Sequence, residues 1–102
     1  MADDINSAQI EAMFMGLVSM LSQGVMQHLG KIVDPMTSKV EKNLDAARAT
    51  IDLIRMLKVK TKGNLSSQEE RFLNSMLTNL QLNYVEESEL SQKDTAEKKE
   101  GN

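Results

Sequence analysis

Apolar residues recur along the chain at three- and four-residue intervals in three stretches, separated by two polar breaks. That spacing predicts helices rather than strands. The first helix is expected over about 7–30, started by Asn6, with Gln9 at capping-box distance. At about 100° per residue, Ile10, Met13, Phe14, Leu17, Val18, Met20, Leu21 and Val25 fill roughly half its circumference and are expected to face the core. The other half carries Ala8, Ala12, Gly16 and Ser19 as a stripe of small residues, flanked by Met15, Met26, Ser22 and Gln23. No residue from Ala12 to Gly30 bears a formal charge, whereas a solvated helix face normally carries Lys and Glu. Both sides of this helix are therefore expected to be covered.

The first break, residues 31–42, holds Asp34-Pro35 at the first two positions of a type I turn, flanked by Ile32-Val33 and Val40. It reads as a loop or a very short ribbon. Asn43 then caps a second helix over about 43–61. Leu44, Ala47, Ile51, Leu53, Ile54, Met56 and Leu57 spread over roughly two-thirds of its circumference, which makes it central in the packing. Asp45, Arg48, Asp52 and Arg55 form one narrow stripe of alternating charge. The third helix, about 66–87, starts with the capping box of Ser66 and Glu69 and presents Phe72, Leu73, Met76, Leu77, Leu80 and Tyr84 on one face. Residues 88–102 have almost no apolar content and are expected to be a disordered tail. The fold expected is all-α: one domain over 1–87, in which helices 2 and 3 form an antiparallel hairpin packed on a long first helix.

A chain of 102 residues leaves room for one modest core and no second independent domain. Only Phe14, Phe72 and Tyr84 are aromatic, so the interior must be aliphatic and methionine-rich. Without cysteine there is no disulfide framework, thiolate metal site or cysteine nucleophile, and a cytoplasmic location is expected. The acidic start MADDINSAQIE lacks the basic residues of a secretory signal. A net charge of −3 argues against bulk attraction to nucleic acid or anionic lipid, but the charge is uneven. Residues 31–62 hold eight Lys/Arg against four Asp/Glu, and the remainder holds four against eleven.

Candidate chemistry is sparse. His28 projects onto the expected apolar face of the first helix, with no cysteine or carboxylate at ligand or triad spacing. A structural imidazole is the expectation. The carboxylate pairs Asp3-Asp4, Glu69-Glu70 and Glu86-Glu87 diverge by about 100° on a helix and do not face each other across a cleft. Helix-dipole compensation accounts for Glu69-Glu70, and solvation for the other two. No enzyme activity, metal or cofactor is expected.

The stretch LKVKTKGNLSSQEE, residues 57–70, concentrates cations beside a helix start. Arg48, Arg55, Lys58, Lys60 and Lys62 are a candidate anion or partner patch, opposed by Glu69 and Glu70. The P-loop spacing is absent. A hairpin turn accounts for every residue: lysines suit the last helical turn, Gly63 takes the left-handed cap, Asn64 and Leu65 cross over, and Ser66 with Glu69 restarts the helix.

These residues also carry a resemblance. Leu29-Gly30, Asp34-Pro35 with Thr37, Ala47-Arg48 with Ile51 to Ile54, Lys60 to Leu65 with Ser66 and Glu69, and Tyr84-Val85 resemble a small bacterial family known only as a domain of unknown function. Ser38 stands where that family's pattern has glycine. The resemblance implies a small soluble bacterial protein and brings no activity, cofactor or substrate.

The leading expectation is a non-enzymatic interaction or assembly module, homo-oligomeric and most simply dimeric. Its expected interface is Ala8, Ala12, Met15, Gly16, Ser19, Gln23 and Met26, where small residues admit another backbone and methionines adapt to its shape. An unidentified protein partner would use the same face. The alternative is an anion or nucleic-acid binder using the basic patch, weakened by the lack of aromatic residues for base stacking. A third reading lays the first helix on a membrane surface. Its uncharged run approaches the roughly 20 residues needed to span a bilayer, but Ser19, Ser22, Gln23, Gln27 and His28 are costly in hydrocarbon.

Overall fold

In the computed structural model the described residues are 4–100, with side chains described through residue 93. Three helices account for the architecture: α1 (Ser7–His28), α2 (Leu44–Lys60) and α3 (Ser67–Glu100). Each begins on a side chain that satisfies a free backbone N–H. Asn6 Oδ1 accepts from the Gln9 N–H at 2.9 Å, while Gln9 Oε1 accepts from the Asn6 N–H at 2.9 Å. Asn43 Oδ1 accepts from the Ala46 N–H at 3.0 Å. Ser66 Oγ accepts from the Glu69 N–H at 3.1 Å, and Glu69 Oε1 accepts from the Ser66 N–H at 2.7 Å.

The helix ends use left-handed glycines. Gly30, at φ +76°, closes α1 by a Schellman pattern in which the Lys31 N–H reaches the Met26 carbonyl and the Gly30 N–H the Gln27 carbonyl. Gly63, at φ +83°, follows α2 as expected. The 31–42 break is a rudimentary ribbon, with single antiparallel bridges Leu29 to Lys42 and Asp34 to Lys39. At its tip Asp34 Oδ1 accepts from the Met36 N–H at 2.8 Å. Ser38 takes φ +58°, the conformation that favours glycine.

The short Thr61-to-Ser66 turn sets α2 antiparallel to α3. The Asn43 N–H donates to the His28 carbonyl at 2.7 Å, so α2 also starts where α1 ends and runs back along it. All three helices touch one another, and the α1–α2 pairing is the most extensive. The core is Val18, Val25 and Leu29, then Ala47, Ile51 and Ile54 from α2, and Leu73, Leu77 and Leu80 from α3. Burying a side chain such as Leu80 contributes about 1.5–3 kcal/mol.

Two expectations about helix faces are corrected. Ile10, Met13, Leu17 and Met20 lie outside the core: Met13 and Met20 are each 62% exposed. The buried stripe of α1 is Val18, Ser22 and Val25, roughly a quarter turn from the expected face. Ser22 is admitted because its hydroxyl donates to the Val18 carbonyl at 2.8 Å. Likewise Leu53 and Met56 of α2, expected in the core, are exposed, because α2 is wrapped on two sides rather than all round.

At the other end, α3 continues to Glu100 instead of ending near 87, and residues 101–102 lie outside the described residues. No Gly or Pro interrupts it, and its Glu, Gln, Lys and Ala are good helix formers. The segment expected as a disordered tail carries no buried side chain among those described.

Candidate interaction surfaces

The uncharged run of α1 splits into two flanks around its buried stripe. On one flank Gly16, Ser19, Met20, Ser22, Gln23 and Met26 share a groove with Met76, Asn79 and Leu80 of α3. The expected small-residue interface falls here: Ala8, Ala12, Gly16, Ser19 and Gln23 are exposed, and Met15 and Met26 are half-buried. α3 thus closes part of the face expected to meet a partner. Beyond it the exposed line Ile10, Met13, Leu17 and Met20 follows a 3-4-3 helical spacing, with Met20 at the edge of that groove.

Lys58 and Val59 of α2 share a cavity with Leu73 and Asn74 of α3. On α2 the exposed line Ala49, Leu53, Met56 lies by helical angle opposite the buried Ala47, Ile51 and Ile54. Exposed apolar side chains thus stand on the outward faces of both helices.

The five expected cations do not form one patch. Arg48 and Arg55 share a face of α2, where Arg55 Nη1 lies 3.6 Å from Asp52 Oδ1. Lys60 lies about 130° round α2 from them by helical angle. Lys58 and Lys62 do come together, on a cavity of about 360 Å³ also lined by Gly63, Leu65, Glu70 and Asn74. Asn74 Oδ1 is buried there without a hydrogen-bond partner. Glu70 places a carboxylate on the same wall, which opposes an anion. Within the hairpin, Gly63, Leu65, Ser66 and Glu69 take their expected places around Asn64, and Glu69 is only 7% exposed.

Other candidate groups are placed as follows. His28, expected on the apolar face, is the half-buried last residue of α1 and lines a small cleft with Gln27, Asp34, Glu41 and Asn43. Among the described residues no three His, Cys, Asp or Glu side chains converge as metal ligands, and no helix is long and apolar enough to cross a membrane. Asp3 of the Asp3-Asp4 pair lies outside the described residues.

The sequence profile of one family, Domain of unknown function (DUF1844), matches residues 11–86. The chain belongs to the DUF1844 family. No curated protein and no solved structure matches it. The DUF1844 match begins one turn into α1 and ends beside the bundle's last fastening, a charged cluster that sequence spacing did not reveal.

In that cluster of the DUF1844 domain, Lys31 Nζ lies 3.1 Å from both Glu86 Oε1 and Glu87 Oε2, and Lys42 Nζ lies 3.1 Å from Glu87 Oε1. Lys42 also donates to the Glu87 carbonyl at 3.3 Å. Glu86 and Glu87, expected as solvated carboxylates, instead bind the α1–α2 connection to α3. The hydrogen bond from Lys42 chiefly, with Lys31 next among the cations, outweighs burial and holds the Glu87 carboxyl below its ordinary range. Glu87, then Glu86, raise the Lys31 ammonium. At the opposite end Ser66 Oγ donates to Glu11 Oε2 at 3.0 Å, joining the starts of α1 and α3.

Proposed function

We propose that this DUF1844 chain is a non-enzymatic helical interaction module, cytoplasmic, that assembles with itself through the uncharged surface of α1. One observation carries the reading: Ile10, Met13, Leu17 and Met20 stand 39–62% exposed on a helix without a formal charge from Ala12 to Gly30. Exposed apolar patches of this kind mark interaction sites, and closed two-fold dimers are the commonest assembly. Gly16 lines the groove that α1 shares with α3, beside Ser19 and Met20, and a Cβ added there meets nothing within 4 Å.

The test follows from that open space. Native mass measurement at micromolar concentration should give a dimer or larger, and Gly16→Glu should split it while leaving the helical circular dichroism intact. A strict monomer sinks the reading. Cell fractionation tests the cytoplasmic placement.

A second reading is favoured by the cavity that Lys58 and Lys62 share with the unpartnered Asn74 Oδ1. There the module would bind an anion or a nucleic acid. Titration with nucleotides and oligonucleotides at two salt concentrations decides, since phosphate contacts lose affinity as salt rises. No binding at low salt rejects it.

A further inference from the structure

From the cavity at the α2–α3 turn we infer a binding site for a zwitterionic small molecule, a free aliphatic α-amino acid, rather than for a simple anion or a nucleic acid. The inference rests on the second reading above for its site and for the part of the lysines, and it narrows the ligand. Lys58 and Lys62 bring two ammonium groups to this space of about 360 Å³, and Glu70 brings a carboxylate. Among the described residues none of these side chains forms an ion pair or a hydrogen bond, with one another or with any other group. The helix dipoles account for the sign at each position, since Lys58 is in the last turn of α2 and Glu70 in the first turn of α3. They do not account for opposite charges that share a cavity and stay unpaired.

The set of groups selects the ligand. Asn74 adds an amide whose Oδ1 is buried without a hydrogen-bond partner, a rare and costly state for an acceptor. The terminal torsion of asparagine is soft, so rotation of the amide turns Oδ1 toward the cavity that the residue lines. A phosphate or a nucleic acid would meet the two lysines but also the Glu70 carboxylate, with no aromatic ring in the lining for a base to stack on. A carboxylate with an ammonium group on the adjacent carbon uses all of these groups. Its oxygens accept from Lys58 and Lys62, and its N–H groups donate to Glu70 and to Asn74 Oδ1. An aliphatic side chain then lies against Val59, Leu65 and Leu73. The volume stands at the low end of the roughly 300–1,000 Å³ usual for small-molecule sites, which suits a ligand of this size.

Titration of the full chain with L-leucine, followed by amide-resolved NMR, tests this. The comparison probes are isocaproate, which is leucine without its ammonium, isoamylamine, which is leucine without its carboxylate, and inorganic phosphate. L-Leucine at millimolar concentration should shift the signals of Gly63, Leu65 and Asn74 saturably. Each one-charge analogue should bind about tenfold more weakly or worse, the worth of one charged contact. Lys62 and Glu70 are exposed, so substitutions there leave the fold intact. Glu70→Gln should weaken leucine about tenfold and should not weaken isocaproate, whereas Lys62→Gln should weaken leucine and isocaproate alike and leave isoamylamine unchanged. Isocaproate that binds as tightly as leucine, or a Glu70→Gln chain that keeps the wild-type affinity for leucine, overturns the zwitterion. No saturable shift with leucine overturns the inference outright. If phosphate then shifts the same signals, the second reading stands with an anion as its ligand, and if neither phosphate nor an oligonucleotide does so at low salt, that reading falls as well.

Discussion

Helices α1 and α3 do the same work in the bundle and differ on their backs. Both start with a reciprocal capping box, and each buries three or four side chains against its neighbours. Outside the core, α3 as far as Gln81 shows Glu70, Arg71, Ser75, Thr78, Asn79 and Gln81, and its exposed apolar side chains, Leu82, Val85 and Leu90, come only beyond, whereas α1 shows Ile10, Met13, Leu17 and Met20. Folding alone explains the first surface, up to Gln81. The second costs exposed apolar area that the isolated subunit does not recover, and so points outside the subunit.

The sharpest way to test the contrast is to remove the same atoms from each helix. Leu73→Ala, at a site with 0% exposure, should lower unfolding stability by about 2–5 kcal/mol at any protein concentration. Leu17→Ala, 39% exposed, should cost the isolated subunit under about 1 kcal/mol and act on concentration-dependent stability instead. Equal losses at high dilution would erase the distinction. Chemical denaturation at two protein concentrations reads both.

The caps give the next largest difference. Ser66→Ala should cost about 1–2 kcal/mol, since the hydroxyl both caps α3 and donates to Glu11. Asn6→Ala, at an exposed start, should cost about 0.5–1 kcal/mol. Thermal melts of the two variants should keep that order. In the connection that leads from α1 to the α3 clasp, Ser38→Gly should raise stability by about 1 kcal/mol, because serine at φ +58° carries a penalty that glycine does not. No rise in melting temperature would place the turn outside the cooperative unit.

The smallest effect is electrostatic and separates the far end of α3 from its start. Glu87 has a folded-state pKa below its ordinary value of 4.5, so its contribution is complete above that pH and is lost as pH falls through the lowered value. Lys31 has a folded-state pKa above its ordinary 10.5, so its contribution is present below that pH and lost as pH rises through the raised value. The clasp is thus intact across neutral pH. Hydrogen-exchange protection around residues 84–87, taken relative to the intrinsic exchange rate at each pH, should fall in acid in the wild type, and Glu87→Gln should remove most of that pH dependence.

Local features were legible in the residues and register was not. Asn6, Asn43, Ser66 and Gly63 declared the helix boundaries because capping is settled within three or four positions. The core face of α3 was legible because its back is polar as far as Gln81. On α1 apolar residues occupy more than one face, so periodicity alone did not choose between Leu17 and Val18, and it gave no reason to bury Ser22. The choice is made by α2 and α3. The Lys31 clasp joins residues 55 apart in sequence, a separation that no local pattern encodes. For the same reason the five cations of the hairpin read as one patch, although the turn of α2 sends Lys60 away from Arg48 and Arg55. Past residue 87 the low apolar content that argued for a tail goes with the absence of any buried side chain among those described, while helix-forming residues, free of Gly and Pro, carry the helical backbone on to Glu100.

The outward faces of α1 and α2 are also open to oxidation. Met13 and Met20 are 62% exposed and Met56 is 43% exposed. A thioether that peroxide reaches becomes a polar sulfoxide, which reductases can reverse. Met36, 91% exposed in the 31–42 loop, serves as an internal clock for the same reaction. In the self-assembly proposed above, oxidative stress and subunit association would be read off a single set of peptide masses, Met13 and Met20 lagging behind Met36 for as long as two copies stay together.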